Sequence, residues 1–105
     1  MEIQVRVHHP LAAAGLPLRV EVRDTSLADA AAVTVAAGEA LLTEAGETTV
    51  PLDIPEEALA AAELSVFAHA GPDPAWVAAG DYLTVQHYPV SAAVPVVEVE
   101  VVLIG

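Results

Sequence analysis

Four histidines are the residues best suited to metal chemistry in this chain of 105 residues. His69 and His87 fall late in two separate predicted strands, and imidazole nitrogen is a good ligand for copper and zinc. If the two strands are neighbours in register, these rings approach each other, with His8 or His9 as a further ligand. No pair has the i, i+2 or i, i+4 spacing of a local chelate. The alternative is that the histidines are solvated residues near strand ends.

The hydroxyl and carboxyl side chains form no recognisable catalytic arrangement. None of Ser26, Ser65 and Ser91 lies in a G-x-S-x-G motif, and the chain has no glycine-rich phosphate-binding loop. Glu56 and Glu57 fit the first turn of a helix better than an acid–base pair. We therefore predict that the protein is not an enzyme and needs no cofactor.

A polar and aromatic stripe predicts a different kind of site. In the predicted strand at residues 81–90, Tyr82, Thr84, Gln86 and Tyr88 alternate onto one face. Tyrosine is enriched in protein interfaces, and Trp76 lies in the preceding loop. These five residues are the predicted partner-binding surface. The alternative is that the tyrosines close the ends of the sheet with their hydroxyls toward water.

The charge balance narrows the class of partner. Fifteen acidic residues against three arginines and no lysine give a formal net charge of −12 at pH 7. Such a chain repels phosphate backbones and anionic lipid, and it has no apolar run long enough to span a bilayer. The absence of cysteine excludes disulfides, thiol chemistry and a lipid-anchor cysteine. We expect a protein partner, with no nucleic acid and no direct membrane insertion.

The elements that must position these residues are mostly strands, because the hydrophobic pattern has a period of two residues. The clearest run is 16–23. Further strands are predicted at 2–7, 33–35, 39–43, 48–54, 64–70, 81–90 and 95–104, the last with Val97, Val99, Val101 and Leu103 on one face. Pro51 indicates an edge strand or the start of a strand, and Pro55 followed by acids and alanines predicts a short helix near 55–62.

These elements predict an all-β fold in a single domain over residues 1–105. Seven or eight short strands separated by turn signals are typical of an antiparallel β-sandwich, here with one short helix. Residues 71–80, rich in proline and glycine, are expected to form a surface loop that packs over one end of the sandwich.

Two stretches of the chain resemble a known family. In residues 16–36, LPLRVEVRDTSLADAAAVTVA, a strand leads into a D-x-S-x-A-D-A turn made by Asp24, Ser26, Ala28, Asp29 and Ala30. Residues 80–90, GDYLTVQHYPV, form a late strand ending in Tyr-Pro-Val. Over about residues 16–90 the order and spacing resemble the YbaY-type domain, which is related to the lipoprotein pilotins of type III secretion.

The resemblance implies a compact β-sandwich and no catalytic residues. For the pilotin branch it implies that the domain escorts or stabilises a secretin subunit at the outer membrane. This chain departs from that branch because it shows neither a signal peptide nor an anchor cysteine. We expect a cytoplasmic protein, or a periplasmic one if the chain is the mature form of an exported protein.

The aspartates of the turn have a role that does not depend on the resemblance. Asp24 and Ser26 can accept hydrogen bonds from backbone N–H groups two or three residues further on, which shapes a turn. A cation site at Asp24 and Asp29 is the alternative, although calcium requires more oxygen ligands than these.

The leading function hypothesis is a non-catalytic protein-binding or chaperone-like module resembling the secretion pilotins. Such a module would hold a partner segment on a sheet face or edge. Two alternatives remain open: a small histidine-based metal-binding protein, and a structural subunit that self-associates through apolar edge strands.

Overall fold

The computed structural model describes residues 1–26, 33–61, 63–73 and 76–105, which form two packed β-sheets. The elements are β1 (Glu2–His8), a 3₁₀ turn (Leu11–Ala13), β2 (Pro17–Asp24), β3 (Val33–Leu41), β4 (Glu47–Asp53), α1 (Glu56–Ala61), β5 (Leu64–Ala70), β6 (Tyr82–Leu83), β7 (Val96–Glu100) and β8 (Val102–Leu103). Within these ranges, no helix is long and apolar enough to span a membrane.

The two sheets have the strand orders β4-β1-β7 and β3-β2-β5-β6-β8. The predicted all-β sandwich with one short helix is confirmed, and β4, the strand that contains Pro51, lies at a sheet edge as expected. The β1–β7 pair is parallel, whereas the other named strand pairs are antiparallel.

The core lies between the sheets and follows from the alternation within each strand. In β1 and β2 every second side chain is buried. The strands β4 and β7 add buried apolar residues beside β1, and β5 adds them beside β2 in the opposing sheet. The largest fully buried aliphatic side chains are Ile3, Val5, Val7, Leu18, Val20, Val22, Ile54, Val99 and Val101. Each such aliphatic side chain contributes about 1.5–3 kcal/mol when fully buried. The outward-facing residues of the same strands are therefore available to form a surface site.

Strand β3 is continuous, so the prediction of two short strands separated at residues 36–38 is wrong. Gly38 lies where the other sheet approaches. A Cβ atom built on it would lie 2.8 Å from Leu52 Cδ2 and 2.9 Å from Val50 Cγ1. The glycine thus permits close packing of the two sheets and does not end the strand.

Gly38→Ala is expected to lower the free energy of unfolding by about 1–3 kcal/mol, because the added methyl group overpacks a buried contact. Urea denaturation monitored by circular dichroism measures this loss. Gly105→Ala is the control, since a Cβ atom there meets nothing within 4 Å. If Gly38→Ala were as stable as the control, the close approach at this position would be refuted.

The predicted strand at 81–90 is wrong over most of its length, since β6 comprises only Tyr82–Leu83. Thr84 N donates to Ala68 O, and four residues later Tyr88 O accepts from Val66 N. An advance of two residues along β5, from Ala68 to Val66, is therefore matched by an advance of four residues, from Thr84 to Tyr88. The surplus residues make residues 85–87 bow away from the sheet, as in a β-bulge.

The predicted last strand also divides, at Val101. This buried residue donates its N–H to His8 O at 3.1 Å in the three-stranded sheet. The next two residues form β8, which pairs with β6 in the five-stranded sheet. Because the chain changes sheets at this point, the alternation is interrupted, and Leu103 is exposed instead of sharing the inward face of Val101.

The turn after β2 forms as predicted at Asp24, whereas Ser26 Oγ bonds to a residue distant in the sequence. Asp24 Oδ1 accepts a hydrogen bond from Ser26 N at 2.9 Å, and the backbone and side chain of Ser26 lower the pKa of Asp24. Ser26 Oγ accepts from Glu63 N at 2.7 Å, which joins the turn to the start of β5. Asp29 and the other later positions of the motif lie outside the described residues.

Candidate protein-binding groove

The outer face of the five-stranded sheet carries two adjoining concavities. One, of about 580 Å³, has its floor on β2 and β5 and is bordered by the loop after β5. The other, of about 370 Å³, lies beside the bowed residues 85–87. Both are lined by Arg23 and Phe67, so they form one surface. We term this surface the outer groove and define it by Arg19, Arg23, Phe67, Val77, Val85 and His87.

A hydrogen-bonded network holds the floor of the outer groove. Glu21 accepts hydrogen bonds from Thr34 Oγ1 at 2.5 Å, Arg23 Nη2 at 3.3 Å and Arg19 Nε at 3.4 Å. Arg19 also contacts Glu39 at 3.0 Å. These contacts fix both guanidinium groups along the sheet, so the floor is organised before any partner arrives.

The environment of Glu21 keeps this carboxylate ionised. Burial raises its pKa, but the hydrogen bonds from Thr34 and Arg23 and the charges of Arg23 and Arg19 outweigh burial, and the pKa lies below its ordinary value. Glu21 therefore carries a negative charge at neutral pH that offsets the arginines beside it.

Arg23 and Phe67 form the centre of the floor. The Arg23 guanidinium carbon lies 4.0 Å from the centroid of the Phe67 ring, a cation–π contact. Such a contact contributes about 0.5–1 kcal/mol at an exposed site. The Phe67 ring supplies apolar area on the outward face of β5, and the planar Arg23 guanidinium that lies over it supplies hydrogen-bond donors. Aromatic residues and arginine are both enriched in protein interfaces.

A buried hydrogen bond between a histidine and a carboxylate anchors the loop that forms one wall. His69 Nε2 lies 2.8 Å from Asp81 Oδ2, which also accepts the N–H of Ala78 at 3.0 Å. The hydrogen bond from His69 lowers the pKa of Asp81, burial opposes this effect, and the bond from Ala78 adds to it. These contacts tie Ala78 to β5 beside the outer groove, while Trp76 and Val77 remain exposed.

Exposed apolar side chains lie on both sides of the floor. Val77 on the anchored loop is 54% exposed, and Val85 on the bowed segment is 65% exposed. Trp76, adjacent to Val77 in the chain, is 73% exposed. Exposed apolar side chains around an ordered polar surface, here the floor of the outer groove, are typical of a site that binds another protein.

The structure separates the five predicted contact residues into two groups. Trp76 and Gln86 are exposed; Gln86 lines the concavity beside residues 85–87, whereas Trp76 lines neither concavity and is adjacent in the chain to Val77. Tyr82 is half-buried against the core, and Thr84 is buried, where its Oγ1 accepts the N–H of Ala68 at 3.2 Å. These residues do not form one stripe, because the strand that would align them ends at Leu83.

Tyr88, the fifth predicted contact, links the two sheets. It is half-buried against the core, and its hydroxyl oxygen accepts hydrogen bonds from Glu100 N at 3.0 Å and from Gln86 Nε2 at 2.7 Å. Glu100 belongs to the three-stranded sheet, whereas the backbone of Tyr88 bonds to β5 in the other. Replacing Tyr88 would thus disturb the sandwich as well as any partner contact.

The structure does not bring the candidate metal ligands together. His69 is paired with Asp81, whereas His87 is exposed beyond the end of β6. His9 is buried against Thr48, and His8 lies on the other sheet beside Glu98. Among the described residues there is no group of three or more histidine or acidic side chains placed to hold a metal ion.

The centre of the outer groove was not predicted. Phe67 alternates with the buried residues Val66 and Ala68 in β5, and this alternation is the sequence signal that places its ring on the outward face. Its contact with Arg23 depends on the pairing of β2 with β5, in which Arg23 faces Ser65. Val85 is exposed because residues 85–87 bow out of the sheet, which the sequence pattern does not indicate.

Comparison with known proteins identifies the fold. No protein-family model and no curated protein matches the chain. The structure is similar to that of an alternative pilotin from the type II secretion system of Vibrio cholerae, with a TM-score of 0.73 and 21% sequence identity. The alignment covers 97% of this chain and 96% of that chain. The chain therefore has a pilotin-like fold.

Proposed function

We propose that this protein is a non-catalytic, chaperone-like module that binds a partner protein in a secretion pathway. The observation that carries the proposal is the outer groove, where Val77 and Val85 stand exposed around a floor fixed by Arg23, Phe67 and Glu21. The pilotin-like fold agrees with this function, because the similar structure is a secretion pilotin. We further propose that the chain is a YbaY-type domain, as the motifs at 16–36 and 80–90 indicate.

The proposed contact residues are Trp76, Val77, Val85 and Gln86. Val77, Val85 and Gln86 line the two concavities that share Arg23 and Phe67, and Trp76 precedes Val77 in the chain. Large apolar side chains beside an arginine are the usual origin of binding energy in protein interfaces. Tyr82, Thr84 and Tyr88 would act indirectly, by holding the segment that carries Val85 and Gln86.

Val85→Asp is expected to reduce the capture of the partner at least about tenfold, which corresponds to about 1.4 kcal/mol. The new carboxylate would lose its water against an apolar partner surface. The measurement is affinity capture from a lysate of the native host, with quantitative mass spectrometry of the retained proteins.

Leu11→Asp is the matched control for this experiment. It introduces the same charge at an apolar residue that is 66% exposed and does not line the outer groove. A protein retained by the wild type and the control but lost with Val85→Asp supports the proposal. Retention of the same proteins by all three forms would contradict it.

A further inference from the structure

The outer edge of β7 presents backbone groups that no strand covers. This strand pairs with β1 on one side, at the end of its sheet. Pro95 O accepts from Gln4 N at 2.8 Å, and Val101 N donates to β1 at 3.1 Å. Because backbone groups of successive residues in a strand point to opposite sides, those of Val96 and Glu98 point away from β1.

The contact made by Glu100 confirms this direction. The N–H of Glu100 also points away from β1, and it donates to the Tyr88 hydroxyl oxygen at 3.0 Å. Across the described ranges of the chain, no hydrogen bond reaches the outward N–H and C=O groups of Val96 and Glu98. The edge is therefore occupied at Glu100 N and open over the preceding residues.

The side chains along this edge make it acidic. Glu98 is held by Arg6 at 3.3 Å and by His8 at 3.0 Å, while Glu100 is exposed and forms no ion pair with any described residue. If the edges of two copies were paired, the carboxylates of the two chains would face each other, which is unfavourable for a protein of net charge −12. The charge thus favours a basic occupant over a second copy.

We propose that the outer edge of β7 accepts a short extended segment of a partner protein, with lysine or arginine at alternating positions, as a fourth strand of the three-stranded sheet. Backbone hydrogen bonds to Val96 and Glu98 would set its register. Its basic side chains would lie beside Glu100. The positions of the segment between its basic residues would lie on the core side of the sheet, where Val97 and Val99 are buried. We therefore expect apolar residues at these positions. The proposal goes beyond the outer groove, since it concerns the opposite sheet.

The test uses a seven-residue peptide of alternating valine and lysine with blocked termini. It is titrated into the isotope-labelled full chain at about 0.15 M salt, where long-range attraction is screened. We expect the amide signals of Val96 and Glu98 to shift. We also expect Glu100→Lys to raise the dissociation constant at least about fivefold, and a valine–glutamate peptide to leave the spectrum unchanged.

Three controls separate strand addition from other causes. Glu44→Lys makes the same change of net charge in an exposed turn, so an equal loss of binding there would show non-specific attraction and overturn the proposal. A peptide N-methylated at alternate residues keeps its charge but loses its edge hydrogen bonds, and unchanged binding by that peptide would overturn it too. A dimer of the protein without peptide would also overturn the proposal, if sedimentation detects it and hydrogen exchange shows that it protects the amides of Val96 and Glu98. None of these results depends on the partner captured through the outer groove.

Discussion

Leu18→Ala is expected to lower the free energy of unfolding by about 3 kcal/mol, because it leaves a cavity in the core. Leu18 is fully buried in β2, and its paired neighbours on either side are Ala40 and Ala70. Two small neighbours offer little side chain to refill the space, so the cavity would persist. Urea denaturation followed by circular dichroism measures the loss.

Leu11→Ala provides the comparison for this experiment. It deletes the same atoms from a side chain that is 66% exposed, and the expected change is within about 0.5 kcal/mol. Similar losses in the two variants would mean that Leu18 does not lie in a packed core. The packing of β2 against the opposite sheet would then be incorrect.

Asp81→Asn is expected to lower the melting temperature at neutral pH by about 5 °C or more, because it removes the charge that holds buried His69. Gly71→Ala should have a similar effect, since an added Cβ atom would lie 2.5 Å from the Asp81 carboxylate. Thermal unfolding of the two variants and the wild type tests this. Wild-type melting temperatures in both variants would show that the pair does not anchor the loop.

The pH dependence gives a sharper test of the same pair. The folded-state pKa of Asp81 is lowered, mainly by the hydrogen bond from His69. Stability from this carboxylate is therefore present above the ordinary aspartate pKa of about 3.9 and is lost as the pH falls through the lower folded-state value. The difference in melting temperature between the wild type and Asp81→Asn should therefore shrink as the pH falls below about 4. A difference that grows on acidification would contradict the assignment.

Much of the sandwich could be predicted because several strands bury one face and expose the other. In β2, Leu18, Val20 and Val22 alternate with charged residues, and this pattern alone identifies the strand and its inward face. The break predicted near Gly38 failed for a different reason. A glycine that weakens an isolated strand is required here by the approach of Leu52 from the other sheet, which local sequence does not reveal.

The candidate site was harder to predict because it depends on how distant strands pair. The alternation of Tyr82, Thr84, Gln86 and Tyr88 suggested one continuous face, but the surplus residues opposite β5 divide it. The division buries Thr84 and sends the Tyr88 hydroxyl to the other sheet. Exposure of Trp76 and Gln86 follows from tertiary structure, and so does the position of Phe67 under Arg23.

The most direct test of the outer groove as a protein-binding site is photo-crosslinking in cells of the native host. A photoreactive amino acid replaces Val85 in one form of the protein and Leu11 in the other, both exposed apolar positions. We expect a crosslinked protein of defined mass from position 85 that is absent from position 11 and is lost when Trp76 is also changed to alanine. Crosslinking that is absent at position 85, or equal at both positions, would contradict it.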